Sequence, residues 1–275
     1  MIKLLKEGCG ISNPKSVLPS KVISPGEPFG VISSIVATKY GLSPNCLVVG
    51  GTTDSNAAFF AAAGAQPDFG TAVTSLGSTL AMKQLSKTFV EDASRGVYSH
   101  RFPRFGKNSG DDQQDEEAWL IGGASNVGCA ILRQEDFSDD ELVSLSAEID
   151  PTSDSALSYY PLVKKGERFP VADSSKEPVL EPKPNNSRKD YLHGILQGIS
   201  DVEREGFKVL GDLGASPDRP SVVLTCGGGS KNDMWIQMRE RRLSDICNEY
   251  VEVKRAVNTE ASYGAALLAA ASFEA

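Results

Sequence analysis

An α/β fold is predicted by three stretches in which an apolar strand candidate runs into glycine and then into a helix. The first is Leu47 to Thr79, LVVGGTTDSNAAFFAAAGAQPDFGTAVTSLGST. Its apolar opening ends at Gly50-Gly51, Asp54 follows, and the Ala-rich segment Ser55–Ala63 reads as a helix. A second strand candidate, Thr71–Leu76, then ends in Gly77-Ser78-Thr79. In the second stretch, Ala118–Ile121 leads into Gly122-Gly-Ala-Ser-Asn-Val-Gly128 and a helix through Arg133. In the third, the buried strand candidate Ser221–Cys226 runs into Gly227-Gly228-Gly229-Ser230-Lys231-Asn232, followed by a helix from Met234 to about Leu243.

The other elements are placed around these. Residues 1–30 carry four prolines between short apolar runs and read as a connector. Val31–Tyr40 is a helix candidate closed by Gly41, and Cys46–Gly50 a buried strand. Gly96–Phe102 is a further strand candidate. Arg104–Glu117, rich in acidic residues and nearly free of apolar ones, reads as a solvated hairpin loop. Phe137–Ile149 is predicted helical, Tyr159–Val163 a short strand, and Lys164–Asn186 a loop. Ser187 can cap a long helix on which Leu192, Ile195, Leu196, Ile199 and Val202 keep a helical period, with the apolar side continuing to Gly214. Tyr250–Val253 is a strand. Thr259 is a cap for a last helix, Glu260–Ala271, whose small residues predict close backbone packing.

Composition excludes several classes. The chain of 275 residues is 40% hydrophobic and 23% charged, ordinary for a globular protein and enough for one large or two modest domains. A formal net charge of −8 argues against nucleic-acid or anionic-membrane partners. No apolar run reaches the length of a membrane span. The five cysteines lack C-x-x-C spacing, which suggests buried thiols in a reducing compartment. Localisation is expected to be intracellular, cytoplasmic or plastid. Two isolated histidines, His100 and His193, argue against a metal site or a histidine-based triad.

The chemistry suggested by the glycine turns is phosphoryl transfer. A carboxylate at a strand-to-helix turn can take a proton from an acceptor hydroxyl, and backbone N–H groups at a Gly-hydroxyl-hydroxyl turn can hold phosphates. Asp54 alone would serve equally as a helix cap, and Gly77-Ser78-Thr79 as a hairpin turn. It is their order along the chain with the third loop that favours the functional reading. Three successive glycines let a flat ligand lie against bare backbone, and Asn232 offers both a donor and an acceptor to a purine edge. Neither a Walker A sequence nor a dinucleotide fingerprint is present.

The segments GGTTDSNAAFFAAAG, TSLGST, GGASNVG, LTCGGGSKNDMWIQM and TEASYGAALLAA occur in the order seen in the FGGY carbohydrate kinase family. The resemblance runs from about Val17 onward, and the motifs are most similar to the plant and cyanobacterial ribulose/xylulose kinase branch. It implies a ribonuclease H-like (actin–hexokinase) α/β fold, with a mixed sheet and helices on both faces. It also implies ATP and Mg²⁺ as cofactors and a small-molecule sugar, a pentulose such as D-ribulose or D-xylulose, as substrate. By resemblance Asp54 matches the catalytic base, and Gly77, Ser78 and Thr79 the phosphate-binding turn. Gly228, Gly229 and Asn232 match the adenosine site, with the helix of Gly264 behind it; Gly123 and Gly128 are candidate nucleotide contacts. Cys129 departs from the glycine that many relatives place beside Gly128. The family's opening D-x-G-[TS] strand has no counterpart before Asp54. The resemblance therefore implies an N-terminally truncated chain, with the end of a first domain at 1–64 and a nucleotide-binding second domain at 65–275. Self-association through an uncovered face, and a non-catalytic role that binds only nucleotide or a partner, are the corresponding expectations.

Overall fold

The computed structural model describes residues 2–103, 117–184, 187–247 and 249–274. The solvated loop expected at Arg104–Glu117 lies outside them except for Glu117. Two compact units are present, residues 1–52 and 53–275.

In the first unit, β1 (Pro28–Val31) pairs antiparallel with β2 (Leu47–Val49), and α1 (Ser34–Tyr40) lies between them in sequence. Helix α1 begins later than its apolar pattern suggests because the preceding residues extend into β1. Ser33 caps it by accepting from the Val36 N–H, and Gly41 closes it at φ 64°. β2 was expected to be buried; instead it forms half of a two-stranded ribbon and leaves Val48 exposed.

The second unit is built on a six-stranded mixed sheet in the order β5-β6-β4-β3-β7-β8. Its strands are β3 (Thr71–Leu76), β4 (Leu80–Ser86), β5 (Tyr98–Arg101), β6 (Trp119–Ser125), β7 (Val222–Cys226) and β8 (Glu252–Arg255). β3 runs parallel to β7, and β7 to β8; β4 is antiparallel to both β3 and β6. Strands β3, β6, β7 and β8 therefore point the same way, and their C-terminal ends share one edge.

Alternation along the strands builds two cores. Ala72, Leu76, Leu80 and Met82 face one cluster with Leu196, Ile199, Phe207 and Trp235 from α5 (Arg188–Asp212) and α6 (Asp233–Cys247). Val73 and Leu85 face the other, with Phe59, Phe60 and Leu268 from α2 (Asp54–Ala63) and α7 (Ala261–Glu274). Two short helices, α3 (Ala130–Gln134) and α4 (Asp139–Ala147), follow β6; Ser138 and Glu141 form a capping box on α4. Ser187 caps α5 by accepting from the Asp190 N–H, as its sequence predicts.

Three expectations are corrected here. Gly122 and Gly123 do not belong to a loop: they lie inside β6, paired with Lys83 and Met82. Tyr159–Val163 is not a strand. Only Tyr160 makes a bridge, to Val179, and the ring of Tyr159 packs where a Cβ at Gly194 of α5 would otherwise stand. Helix α7 packs against α2, so closely that a Cβ at Gly264 would collide with the carbonyl oxygen of Ala57, and its Leu268 joins the cluster that Leu224 and Cys226 of β7 pack against. Its first backbone bond joins Gly264 N–H to Glu260 C=O, which puts Glu260 in the cap position in place of Thr259. Helix α2, grouped in the sequence reading with residues 1–64, makes its contacts with α7, β3 and β7 of the second unit. Among the described residues no helix is long and apolar enough to cross a membrane.

Candidate active site

The parallel register that sets Ser75 opposite Cys226 delivers Gly77 and Gly227 side by side at one sheet edge. β6 brings Asn126–Cys129 to the same edge, and backbone bonds lock these turns together. Leu80 N–H donates to Val127 C=O (2.7 Å), Cys129 N–H to Gly77 C=O (2.8 Å) and Ala130 N–H to Ser78 C=O (3.3 Å). Side chains are excluded at the junctions. A Cβ at Gly128 would stand 2.5 Å from Thr79 Cα. One at Gly229 would stand 2.6 Å from the Trp235 ring, 2.9 Å from Leu76 Cβ and 3.0 Å from Cys129 Sγ. Gly227 holds φ +84°, where a Cβ would also approach Leu76 C=O to 2.6 Å.

Gly228 is different: nothing lies within 4 Å of where its Cβ would be. The triple glycine thus divides its work, with Gly227 and Gly229 shaping the turn and Gly228 facing open space. Ser78 and Thr79 are exposed beside it. Burial pushes the Cys129 thiol up to about 11, so it stays a neutral packing group between the turns.

The remaining residues fall into place unevenly. Gly128 supports the Gly77–Thr79 turn from below. Gly123 is withdrawn from the cluster, because it is buried within β6 with the Phe169 ring over it. Asn232 was expected to present a free amide. Its Nδ2 donates to Ser146 Oγ (2.8 Å) and its Oδ1 accepts from Trp235 N–H (3.1 Å). It therefore ties the start of α6 to α4, leaving one N–H and one lone pair of the amide uncommitted.

Asp54 is the first residue of α2. Thr53, not Asp54, is the cap, accepting from the Asn56 N–H. The Asp54 side chain is exposed and accepts from Ser55 N–H at 2.6 Å.

Three cations escaped the sequence reading. Lys83 is 7% exposed in the middle of β4. Its Nζ donates to Asn56 Oδ1 (2.6 Å), and among the described residues no carboxylate forms a salt bridge with it. Burial pulls its pKa down to about 8, opposed by the negative charge of Asp54. The signal was available as a lysine inside LAMKQLS, since lysine is almost never buried without a partner. Arg133 extends from α3 to Ser78 Oγ (3.3 Å) at the exposed turn. Arg255, at the end of β8, donates to Ser230 C=O and Lys231 C=O (each 2.7 Å) and pairs with Asp233 (2.6 Å), clamping the triple-glycine turn. Their clues were spatial, and nothing in their spacing marks them.

His193 is a buried residue of α5, and burial lowers its pKa. Among the described residues no group of three histidine, cysteine or carboxylate side chains is arranged to hold a metal ion.

Such an edge, where strands end in glycine turns that expose backbone N–H groups, suits a phosphorylated ligand. The chain is 35% identical over 121 residues to the xylulose kinase of Bacillus subtilis (strain 168), an alignment covering 44% of this chain and 22% of that enzyme. The structure is similar to the ADP-bound glycerol kinase of Plasmodium falciparum, with a TM-score of 0.73, 20% identity, and coverage of 98% of this chain and 50% of that one. It is also similar to the ligand-bound xylulose kinase of Lactobacillus acidophilus, with a TM-score of 0.71, 17% identity, and coverage of 98% and 51%. At these identities the structures speak for the actin–hexokinase-like fold, and the chain spans about half the length of each. Residues 47–273 match the C-terminal domain of the FGGY family of carbohydrate kinases, and the chain belongs to that family.

Proposed function

We propose that this chain supplies the nucleotide-binding domain and the catalytic base of an ATP-dependent sugar kinase acting on a pentulose, D-ribulose or D-xylulose. The observation that carries the reading is the convergence of three glycine turns at one sheet edge, with only Gly228 left facing open space. The N–H groups of Ser78 and Thr79, with the Arg133 guanidinium, would hold the phosphates at the turn that Gly77 closes by donating to Thr79 C=O (3.2 Å). The adenosine end would lie along Gly228, with Gly229 shaping the turn and the uncommitted part of the Asn232 amide beside it. Asp54 would take the proton of the attacking sugar hydroxyl, a role typically worth about 10²–10⁴ in rate. Mg²⁺ would be carried by phosphate oxygens and water and neutralise charge on the phosphates. The pentulose and the ribulose/xylulose branch are supported by the motif wording and by the Bacillus relative.

Calorimetry with ATP and ADP tests the nucleotide half. Wild-type protein should bind both, and Gly228→Val, folded by circular dichroism, should lose most of that affinity. Unchanged affinity in that variant would overturn the assignment.

A second reading is favoured by coverage of only about half the length of the solved kinases: this chain alone binds nucleotide and turns over no sugar. Holding both reactants in line is worth about 7–11 kcal/mol, so a site that grips only the nucleotide should lose many decades of rate. An ADP-release assay with D-ribulose, D-xylulose and glycerol decides. Sugar-dependent turnover by the chain as given, lost in Asp54→Asn, favours the first reading over the second and supports Asp54 as the base. Turnover that persists in Asp54→Asn would refute that role.

A further inference from the structure

We propose that Glu167 is the positioning residue that fixes the phosphate-binding turn, acting through the end of β6. This inference rests on the nucleotide reading above. Glu167 is 4% exposed, and no salt bridge joins it to a cation among the described residues. Its two oxygens instead accept four hydrogen bonds. Oε1 takes the backbone N–H groups of Asn126 (2.6 Å) and Arg168 (2.8 Å); Oε2 takes the hydroxyls of Ser125 (2.7 Å) and Tyr160 (2.9 Å). Four donors in place of water are what make an unpaired buried carboxylate tolerable.

From there the path to the turn is short and continuous. Ser125 Oγ also accepts from Val127 N–H (2.9 Å), and Asn126 Nδ2 donates to Gly166 C=O (2.9 Å). Val127 C=O holds Leu80 N–H, and the next residues pack beneath Thr79 and bond to Gly77 and Ser78. Residues 125–130 thus form a rail, with Glu167 fastened at one end and the Gly77–Thr79 turn at the other. The Gly227–Lys231 turn touches the rail where Gly229 meets Cys129, but it has its own clamp in Arg255. Loss of Glu167 should therefore loosen the grip on phosphates and spare the adenosine end.

The test compares Glu167→Ala, Glu167→Gln and Ser125→Ala with wild type, using ATP and adenosine as separate probes in calorimetry. Glutamine keeps the volume and one acceptor oxygen for the two backbone donors, and the hydroxyls can rotate to accept from its amide. It should rescue most of the alanine defect. Glu167→Ala should lose about tenfold or more in ATP affinity, about 1.4 kcal/mol, with adenosine affinity unchanged. If Glu167→Ala does not fold, Ser125→Ala removes two hydrogen bonds, to Glu167 and from Val127, keeps the Asn126 and Arg168 bonds to Glu167, and should show the same selective loss on a smaller scale. Backbone hydrogen exchange at Leu80 and Cys129, read without ligand, should rise in the variants. Equal losses for ATP and adenosine, or unchanged exchange at those amides, would overturn the positioning role while leaving the nucleotide site standing. Wild-type protein that binds neither probe would overturn the nucleotide reading, and the proposed effect on phosphates with it.

Discussion

On the α5/α6 face of the sheet the core is made of long side chains, and its buried cations, Arg239 and Arg242, are each answered by a carboxylate. Arg239 donates from Nε and Nη2 to the two oxygens of Glu203 (2.7 and 2.6 Å) and from Nη1 to Thr225 (2.9 Å). On the α2/α7 face the helices approach backbone to backbone through Gly264 and Ala57, and the buried cation, Lys83, has a neutral amide as its hydrogen-bond partner and feels the charge of Asp54. Electrostatics separates the two sites. A bidentate pair inside the fold specifies structure. Lys83, on β4 against the first turn of the helix that bears Asp54, has no such answering pair.

Gly264→Val tests the packing half of this contrast and should have the largest effect. The added carbons would overlap the Ala57 carbonyl, with backbone on both sides, so the α2/α7 pair must separate. We expect a loss of more than about 4 kcal/mol, or no folded protein, in urea unfolding. A truncation on the other face, Leu196→Ala, should cost about 2–5 kcal/mol and leave a folded chain. Equal effects would remove the distinction between the two kinds of packing.

Glu203→Ala comes next. It leaves Arg239, fully buried, facing Thr225 alone, and breaking such a pair costs about 3–5 kcal/mol. Replacing both partners by leucine and methionine should recover most of that loss, since the desolvation of both ions disappears with them. Failure of the double variant to recover would mean that the pair does more than satisfy itself.

Much of this architecture was legible in the sequence because it depends on local rules. β3, α2 and the long α5 stand within a residue or two of their apolar patterns, and Ser187 caps α5 as its chemistry predicts. The order of the glycine turns along the chain favours a functional reading, while their convergence at one edge comes from the parallel register of β3 and β7. What could not be read depends on partners distant in sequence. Gly122 and Gly123 look like loop residues until Met82, Lys83 and Phe169 are beside them. Tyr159–Val163 has a strand's composition but lies against α5, and Asn232 spends its amide on Ser146 and Trp235. The roles of Lys83, Arg255 and Glu167 rest on contacts across tens of residues, which no spacing rule records.

Lys83→Met separates the buried cations by pH. The folded pKa of Lys83, about 8, lies below the ordinary lysine value of 10.5, so the folded state binds fewer protons than the unfolded one between those limits. Below pH 8 both states are charged and the burial penalty is fully present. As pH rises from 8 toward 10.5 the folded lysine sheds its proton first and the penalty is relieved. Wild type should therefore gain up to about 3 kcal/mol relative to Lys83→Met across that window. At pH 7 the substitution should be near neutral, because removing the penalty offsets about 1–3 kcal/mol for leaving Asn56 Oδ1 unpaired. A difference between the two proteins that stays flat from pH 7 to 10 would show that Lys83 is not held in this way.

The smallest expected effect lies at the caps, and it asks whether the α2/α7 face is the more finely held of the two. Thr53 caps α2 through a 3.4 Å bond to Asn56 N–H, while Ser187 caps α5 through a 3.1 Å bond to Asp190 N–H. Removing either hydroxyl should cost about 0.5–2 kcal/mol, with Thr53→Ala at the lower end because its bond is long. The consequences should nevertheless differ in place. The residue freed by Ser187→Ala opens a 25-residue helix anchored by sixteen buried positions, so only its first turn should exchange faster. Asn56, whose N–H would keep only its 3.1 Å bond to Thr53 C=O in Thr53→Ala, is also the residue that holds Lys83, and it lies two residues from Asp54. A loosened first turn of α2 should therefore raise amide exchange at Asn56 and Ala57 and move the Lys83 titration, read from its Nζ resonance, toward lower pH. If Thr53→Ala leaves that titration where it is, the lysine is placed by the sheet alone and α2 does not report on it.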